Sequence, residues 1–158
     1  MPIERTEIAE LVETIFTNPK CWRRMVNDSA PSPEAFLEIA RERRGLPYMA
    51  VLARADSGMI AGVFLLFDMG EGSFDVHFCF LPKSWGIVAH RCAMEFPAWV
   101  WDNVPRCRKL IGRVPSYNRL AHKLASIAGF TEADRQPGPS TRRGKAYELI
   151  VMEMEKPQ

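Results

Sequence analysis

The sequence predicts an α/β fold: a mixed central sheet with an antiparallel meander followed by strand–helix–strand–helix and two closing strands. Three observations carry that expectation. The spacing of apolar residues changes from helical to alternating just beyond Leu46. The links Asp56-Ser57-Gly58 and Gly70-Glu71-Gly72 are short and turn-forming, which joins their flanking segments as antiparallel neighbours. After Pro82 a long apolar helical stretch separates one strand from the next, so the connection is a crossover.

Over residues 4–17, Ile8, Leu11, Val12, Ile15 and Phe16 recur at helical spacing, and Asn18-Pro19 punctuates the end. A second short helix is expected over 20–26. Ser32-Pro33-Glu34 starts a third with a cap, a proline at the first helical position and an early acid, and Gly45 ends it. The first 45 residues therefore read as helical, with no first strand. Strands follow over 48–55, 59–67 and 74–81. A helix over 85–103 places Ala89, Cys92, Ala93, Phe96 and Val100 on one face, with Pro97 inside it. A strand over 109–114, a helix over 116–128 ending at Gly129, and strands over 130–134 and 146–154 complete the chain. Between the last two, residues 135–145 hold four basic side chains and no acids and read as a solvated hairpin loop. The sharper reading of that loop is a clamp for an acidic partner, a cofactor phosphate or a nucleic-acid backbone.

A length of 158 residues suits a single domain, with a helical part over 1–45 and a sheet core over 46–155. The 47% hydrophobic and 25% charged content excludes a disordered chain or a coiled-coil rod. A formal net charge of +2 gives no electrostatic ground for nucleic-acid binding. Four cysteines, at 21, 79, 92 and 107, show neither a CxxC pair nor zinc-ligand spacing, so reduced thiols are expected and no metal is assigned. The polar start and the lack of a long apolar run predict neither a signal peptide nor a membrane partner, hence an intracellular or packaged protein.

The segment from Val114 to Phe130 contains Asn118, Ala121, Leu124, Gly129 and Phe130 in the order N-x-x-A-x-x-L, then G-F. This resembles the strand-to-helix module of the GCN5-related N-acetyltransferase (GNAT) superfamily. Each match has a local reason: Asn118 caps a helix, Ala121 allows close packing, and Gly129 supplies a left-handed end. His77-Phe78-Cys79-Phe80-Leu81-Pro82 and Trp85-Gly86 look like the same superfamily's central strand and cofactor loop, most of all like those of tailed-phage proteins with this fold.

The resemblance implies a GNAT-like fold and acetyl-CoA as cofactor. Phe80 and Leu81 would hold its pantetheine arm at the strand edge. Lys83, Trp85, Gly86, Ile87, Val88 and Ala89 would surround its pyrophosphate, because backbone N–H groups and the helix dipole favour an anion there. Asn118 would shape the cofactor-side turn. The family pattern R/Q-x-x-G-x-G/A is not fully met. With Pro82 and Gly86 aligned, Trp85, Val88 and His90 stand at its basic, first glycine and last small positions. A register on Lys83, Gly86 and Val88 restores the basic residue and one glycine and leaves valine last. A β-branched residue needing positive φ there would crowd a phosphate. Trp85 either stacks on a ligand or plugs an empty site. Ala125 follows Leu124 where many family members carry the tyrosine that protonates the leaving thiolate.

Strand alternation puts Asp75, His77 and Cys79 on one face and Phe74, Val76, Phe78 and Phe80 on the other. His77, an imidazole titrating near neutrality, is the first candidate for taking the amine's proton, with Asp75 beside it. The competing readings are a structural histidine and a solvated strand carboxylate. Two functions follow. One is an acetyl-CoA-dependent N-acetyltransferase acting on a small-molecule or protein amine. The other is a catalytically degenerate phage protein on this scaffold, acting as a virion or interaction component, with virion proteins or a second copy as partners. Host cytoplasm or the virion would be its location.

Overall fold

A computed structural model describes residues 3–6, 14, 15, 17–25, 28, 31–35 and 48–158. Its strands are β1 (Ile3–Thr6), β2 (Tyr48–Arg54), β3 (Ile60–Gly70), β4 (Ser73–Phe80), β5 (Lys109–Pro115), β6 (Thr131–Arg142) and β7 (Lys145–Glu155). Its helices are α1 (Pro19–Met25), α2 (Ile87–Asn103) and α3 (Arg119–Ala128), with a 3-10 turn over Pro82–Ser84. The seven strands form one sheet in the order β1-β2-β3-β4-β5-β7-β6. All neighbours are antiparallel except β4 and β5. That parallel pair is the one the α2 crossover demands.

Apolar residues alternate to opposite faces of the meander. Val51, Ala53, Phe64, Leu66, Phe74 and Phe80 join the α2 side chains Ala89, Cys92, Phe96 and Val100 in the larger core. Ala50, Leu52, Val63, Leu65, Phe67 and Cys79 point the other way, onto Ile15 and Cys21 of the N-terminal part. The central strands are thus covered on both faces, which explains their nearly unbroken apolar runs. Phe96 fixes α2 on the sheet by stacking on Phe64, with ring centroids 3.9 Å apart and planes 6° from parallel. Pro97 lies inside α2 and is buried in that core. Ala121, Leu124 and Ala128 bring α3 against the same core beside α2.

Two expectations are corrected. Residues 4–6, assigned above to an amphipathic helix, belong to β1, which pairs with β2 from Ile3↔Ala53 to Thr6↔Ala50. An uncovered β2 edge needs a backbone partner, and that long-range pairing overrides the local helical spacing. Of the expected first helix, residues 14 and 15 are helical, while 7–13 and 16 lie outside the described residues. The second helix is found at Pro19–Met25. The third is seen in residues 33–35, where the Ala35 N–H donates to Ser32 Oγ at 3.2 Å, and its remainder to Gly45 lies outside the described residues.

The second correction concerns residues 135–145. Instead of a loop, β6 and β7 run as a hairpin arm to a tight turn at Arg143 and Gly144, with φ of 53° and 72°. The register slips between Pro137 and Thr141, so the Pro-Gly-Pro segment is absorbed as an irregularity rather than ending the strand. Asp28 supplies the anchor: its carboxylate accepts from the Thr141 hydroxyl, the Arg143 N–H at 2.8 Å and the Gly144 N–H at 2.9 Å. Among the described residues no helix is long and apolar enough to cross a membrane.

Candidate active site

The parallel pairing of β4 with β5 stops at Asp75↔Ile111. Beyond that point β4 stays on β3 as far as Phe80, and β5 stays on β7 as far as Pro115. The two strands therefore part, and a cavity of about 520 Å³ opens where they do. Val76 and Phe78 line it from one face of β4, Asp75 and His77 from the other, so it passes through the split in the sheet. Gly112, Arg113 and Val114 form the β5 wall.

Backbone direction along the split follows from one hydrogen bond. The Leu81 N–H donates to Ala61 O at 2.8 Å, so odd-numbered residues of β4 point their polar groups at β3. Phe78 and Phe80 then present theirs to the split. Phe80 O is engaged: it accepts the Trp85 indole N–H at 2.9 Å and the Cys21 thiol at 3.2 Å.

Pro82 ends β4, since it carries no N–H and opens the 3-10 turn at its first positions. Gly86 then caps α2 with φ 91° and ψ −128°, a conformation reserved for glycine, and open space surrounds the place a Cβ would take. The His90 N–H already bonds Gly86 O at 3.0 Å, which leaves the earlier amides of α2 directed outward with the positive end of its dipole. A second cavity, about 260 Å³, adjoins this end; Phe80, Trp85, Gly86, Ala89 and Asn118 are among its lining residues. Asn118 lines both cavities and caps α3, its Oδ1 accepting the Ala121 N–H at 3.1 Å. The capped helix begins at Arg119 rather than at residue 116.

The sequence-named cofactor residues thus divide. Phe80, Trp85, Gly86, Ala89 and Asn118 come together, whereas Leu81, Lys83, Ile87 and Val88 are not in either cavity wall. The concern about Val88 is resolved: it lies in the first turn of α2, without positive φ, and packs against the core. Trp85 sits over the mouth with the Arg24 guanidinium 4.2 Å from its ring centroid.

On the β5 side of the larger cavity Asp75 is only 7% exposed. Its Oδ2 accepts from Arg113 Nη1, and its buried Oδ1 has no hydrogen-bond partner among the described residues. His77 is half-buried and meets the Phe67 ring edge-on, centroids 5.3 Å apart. Cys79, on the same face, is buried among apolar groups, where its hydrogen bond with Cys21 and desolvation drive its thiol far above the ordinary range. The same thiol–thiol bond, helped by the Arg24 charge and opposed by burial, lowers Cys21. All four cysteines are buried and none is in a disulfide.

The structure adds residues that the sequence did not single out for this site. Tyr117 and Tyr147 pack edge-to-face at 5.0 Å along the cavity wall, and Arg142 from the hairpin arm lies 4.2 Å over Tyr117. Arg142 also donates to Arg23 O at 3.1 Å, tying the arm to α1. Arg113 enters the site through the strand register: the parallel β4–β5 pair puts it two residues beyond Ile111, the partner of Asp75.

This arrangement, a meander, a crossover helix, and two strands that part beside a capped helix start, is the fold of the GCN5-related N-acetyltransferases. Among solved structures, the chain is similar to spermidine N-acetyltransferase from Vibrio cholerae, solved in complex with CoA and spermine. The TM-score is 0.74 at 12% identity over 98% of this chain and 94% of that one. It is equally similar, with a TM-score of 0.74 at 17% identity over 99% of each chain, to a structure named as a phosphinothricin N-acetyltransferase. No protein-family model and no curated protein matches the sequence.

Proposed function

We propose that this protein is an acetyl-CoA-dependent N-acetyltransferase. The observation that supports the reading most is the split between β4 and β5, because it joins a stretch of the β4 edge that β5 does not cover to the Gly86-opened start of α2. CoA-type groups fit this surface. Phe78 and Phe80 offer backbone groups along the split, the first amides of α2 and its dipole suit a pyrophosphate, and Gly86 leaves room for close approach. Leu81, Lys83, Ile87 and Val88 would contribute through backbone or outer contacts rather than cavity lining. When bound, acetyl-CoA supplies an acetyl group activated as a thioester.

The chain's own residues would do the rest. Asp75 and His77, on the cavity side of β4, are placed to take the proton that an amine must lose before it is nucleophilic. Arg113 holds Asp75 in place through Nη1. Phe67, Tyr117, Tyr147 and Phe130 wall the cavity and limit water, which favours transfer to the amine over hydrolysis. Ala125 offers no proton, so return of a proton to the departing side would fall to a phenol of the wall, Tyr117 or Tyr147.

Calorimetric titration of the full chain with acetyl-CoA and CoA tests the reading. Gly86→Trp fills the open space at the α2 start and also forces its backbone out of the φ 91° conformation, so it should abolish binding while the rest of the protein stays folded by circular dichroism. Absence of binding by folded wild type at millimolar cofactor would sink the proposal. One observation favours a second reading, a non-catalytic interaction protein: the Trp85 indole already occupies Phe80 O and Arg24 covers it. On that reading the chain would be a virion or interaction component, and the same titration decides between the two.

A further inference from the structure

The strongest unexplained feature of the cavity is its charge. Among the described residues lining it, Asp75 is the only carboxylate, against Arg24 and Arg113. Asp75 is already partnered through Oδ2 by Arg113. Its Oδ1 remains, buried and without a protein donor. A buried carboxylate oxygen left unpaired is costly, and the group that satisfies it best is a charged donor. An ammonium fits that requirement, and among the described lining residues a second positive charge on the same ligand would meet Arg24 or Arg113 rather than a carboxylate.

Arg113 supplies the complementary half. Its side chain is 39% exposed and uses Nη1 on Asp75, while a guanidinium carries five donors in a flat fork suited to a second carboxylate. Because the guanidinium and Asp75 touch, the two ligand charges they would take must also lie side by side. Substituents on one carbon, an ammonium and a carboxylate, meet that spacing. The body of such a ligand would lie along the apolar and aromatic wall formed by Phe67, Tyr117 and Tyr147.

We infer that the acceptor is a zwitterionic amine, an α-amino acid with an apolar or aromatic side chain, whose ammonium binds the Asp75 carboxylate and whose carboxylate binds Arg113. This rests on the acetyl-transfer reading for its chemistry, but the binding itself does not require turnover. On this inference amines that lack a carboxylate, polyamines included, are the poorer acceptors.

The test titrates the full chain, alone and saturated with CoA, with pairs of amines that differ only in the carboxylate. Phenylalanine is set against phenethylamine, leucine against isoamylamine, and methionine against 3-methylthiopropylamine, with spermidine as the polycation. At least one amino acid should bind about tenfold more tightly than its decarboxylated partner, the worth of one good charge-assisted contact. Spermidine should bind weakest. Arg113→Met should reverse the preference, because Asp75 then keeps its charge and attracts the simple amine. Arg113→Lys should keep the order but shrink it. Reversal is a signature that mere loss of structure does not produce, and if neither variant folds the wild-type comparison still decides.

Amines binding as tightly as their amino acids, spermidine binding best, or no amino acid binding at millimolar concentration would each overturn the inference. CoA binding without amino-acid binding would overturn it while leaving acetyl transfer to another amine. Amino-acid binding without CoA binding would overturn the acetyl-transfer reading and leave this pocket assignment standing.

Discussion

Trp85 offers the sharpest test of the proposed cofactor surface. Its indole N–H bonds Phe80 O at 2.9 Å, and Arg24 stacks on its ring at 4.2 Å. With Phe80 O directed into the split, any ligand that takes this acceptor must first displace the indole. The bond is worth about 0.5–1.5 kcal/mol net, and at 1.4 kcal/mol per factor of ten its removal should tighten binding by roughly 2- to 12-fold. Trp85→Phe removes the N–H while leaving a ring for Arg24. Trp85→Ala also releases Arg24, adding about 0.5–1 kcal/mol if that contact too must break. The expected order of Kd for CoA, measured by calorimetry, is wild type weakest, then Phe, then Ala. Because Trp85 is 39% exposed and outside both cores, the variants should unfold within a few degrees of wild type. Unchanged affinity in Trp85→Phe would show that Phe80 O is not a cofactor contact. Weaker binding in both would show that Trp85 stacks on the ligand.

Further expectations concern stability and the arm. Phe96→Ala, which removes a ring 1% exposed and stacked on Phe64, should cost about 3–5 kcal/mol and lower Tm by on the order of 10 °C in a thermal melt. Asp28 has its carboxyl held below the usual carboxylate range, first by the Thr141 hydroxyl and then by the Gly144 and Arg143 amides. A depressed folded-state value means its anchoring is fully present above the unfolded carboxylate range and is lost as pH falls through the lower folded value. The protection factor of the Gly144 amide, its exchange relative to the intrinsic rate at the same pH, should therefore fall in acid, and Asp28→Asn should remove that acid dependence. Val88→Ala should lower Tm by a few degrees, through about 1–2 kcal/mol of lost apolar burial, yet leave the CoA Kd within about twofold, because the valine packs inward.

The sheet was legible where its signals are local. Asp56-Ser57-Gly58 and Gly70-Glu71-Gly72 fix the meander, and Asn118 and Gly129 bound α3 through a side-chain cap and a left-handed φ of 103°. β1 was not legible, because Ile3–Thr6 becomes a strand only by pairing with residues about fifty positions away. The hairpin arm escaped for a similar reason: Pro137, Gly138 and Pro139 signal a break, and Asp28, distant in sequence, holds the strand beyond them in place. In the site, alternation placed Asp75 and His77 together on β4, but it could not pair Asp75 with Arg113, since that depends on which strand lies beside β4 and where the two part.

The mismatch between the cofactor-loop pattern and this sequence has a physical resolution. That pattern uses small residues where backbone must approach a ligand or adopt positive φ. Here one position in the loop, Gly86, carries both requirements, with φ 91° and no neighbour where a Cβ would stand. Val88 is already inside α2, so its branched side chain turns to the core and only its amide bears on the surface. A surface made of backbone groups tolerates such replacements, because helix geometry rather than side-chain identity places the amides. Side-chain identity matters instead at Trp85, which competes for Phe80 O, and at Ala125, which is buried and lacks any proton to give. The weakness of the motif is therefore weak evidence against cofactor binding, while Ala125 bears directly on how the chemistry would be completed. The decisive chemistry would then fall to the Asp75–Arg113 pair and to the phenols of Tyr117, between β5 and α3, and Tyr147, on β7, where the acceptor rather than the cofactor would be discriminated.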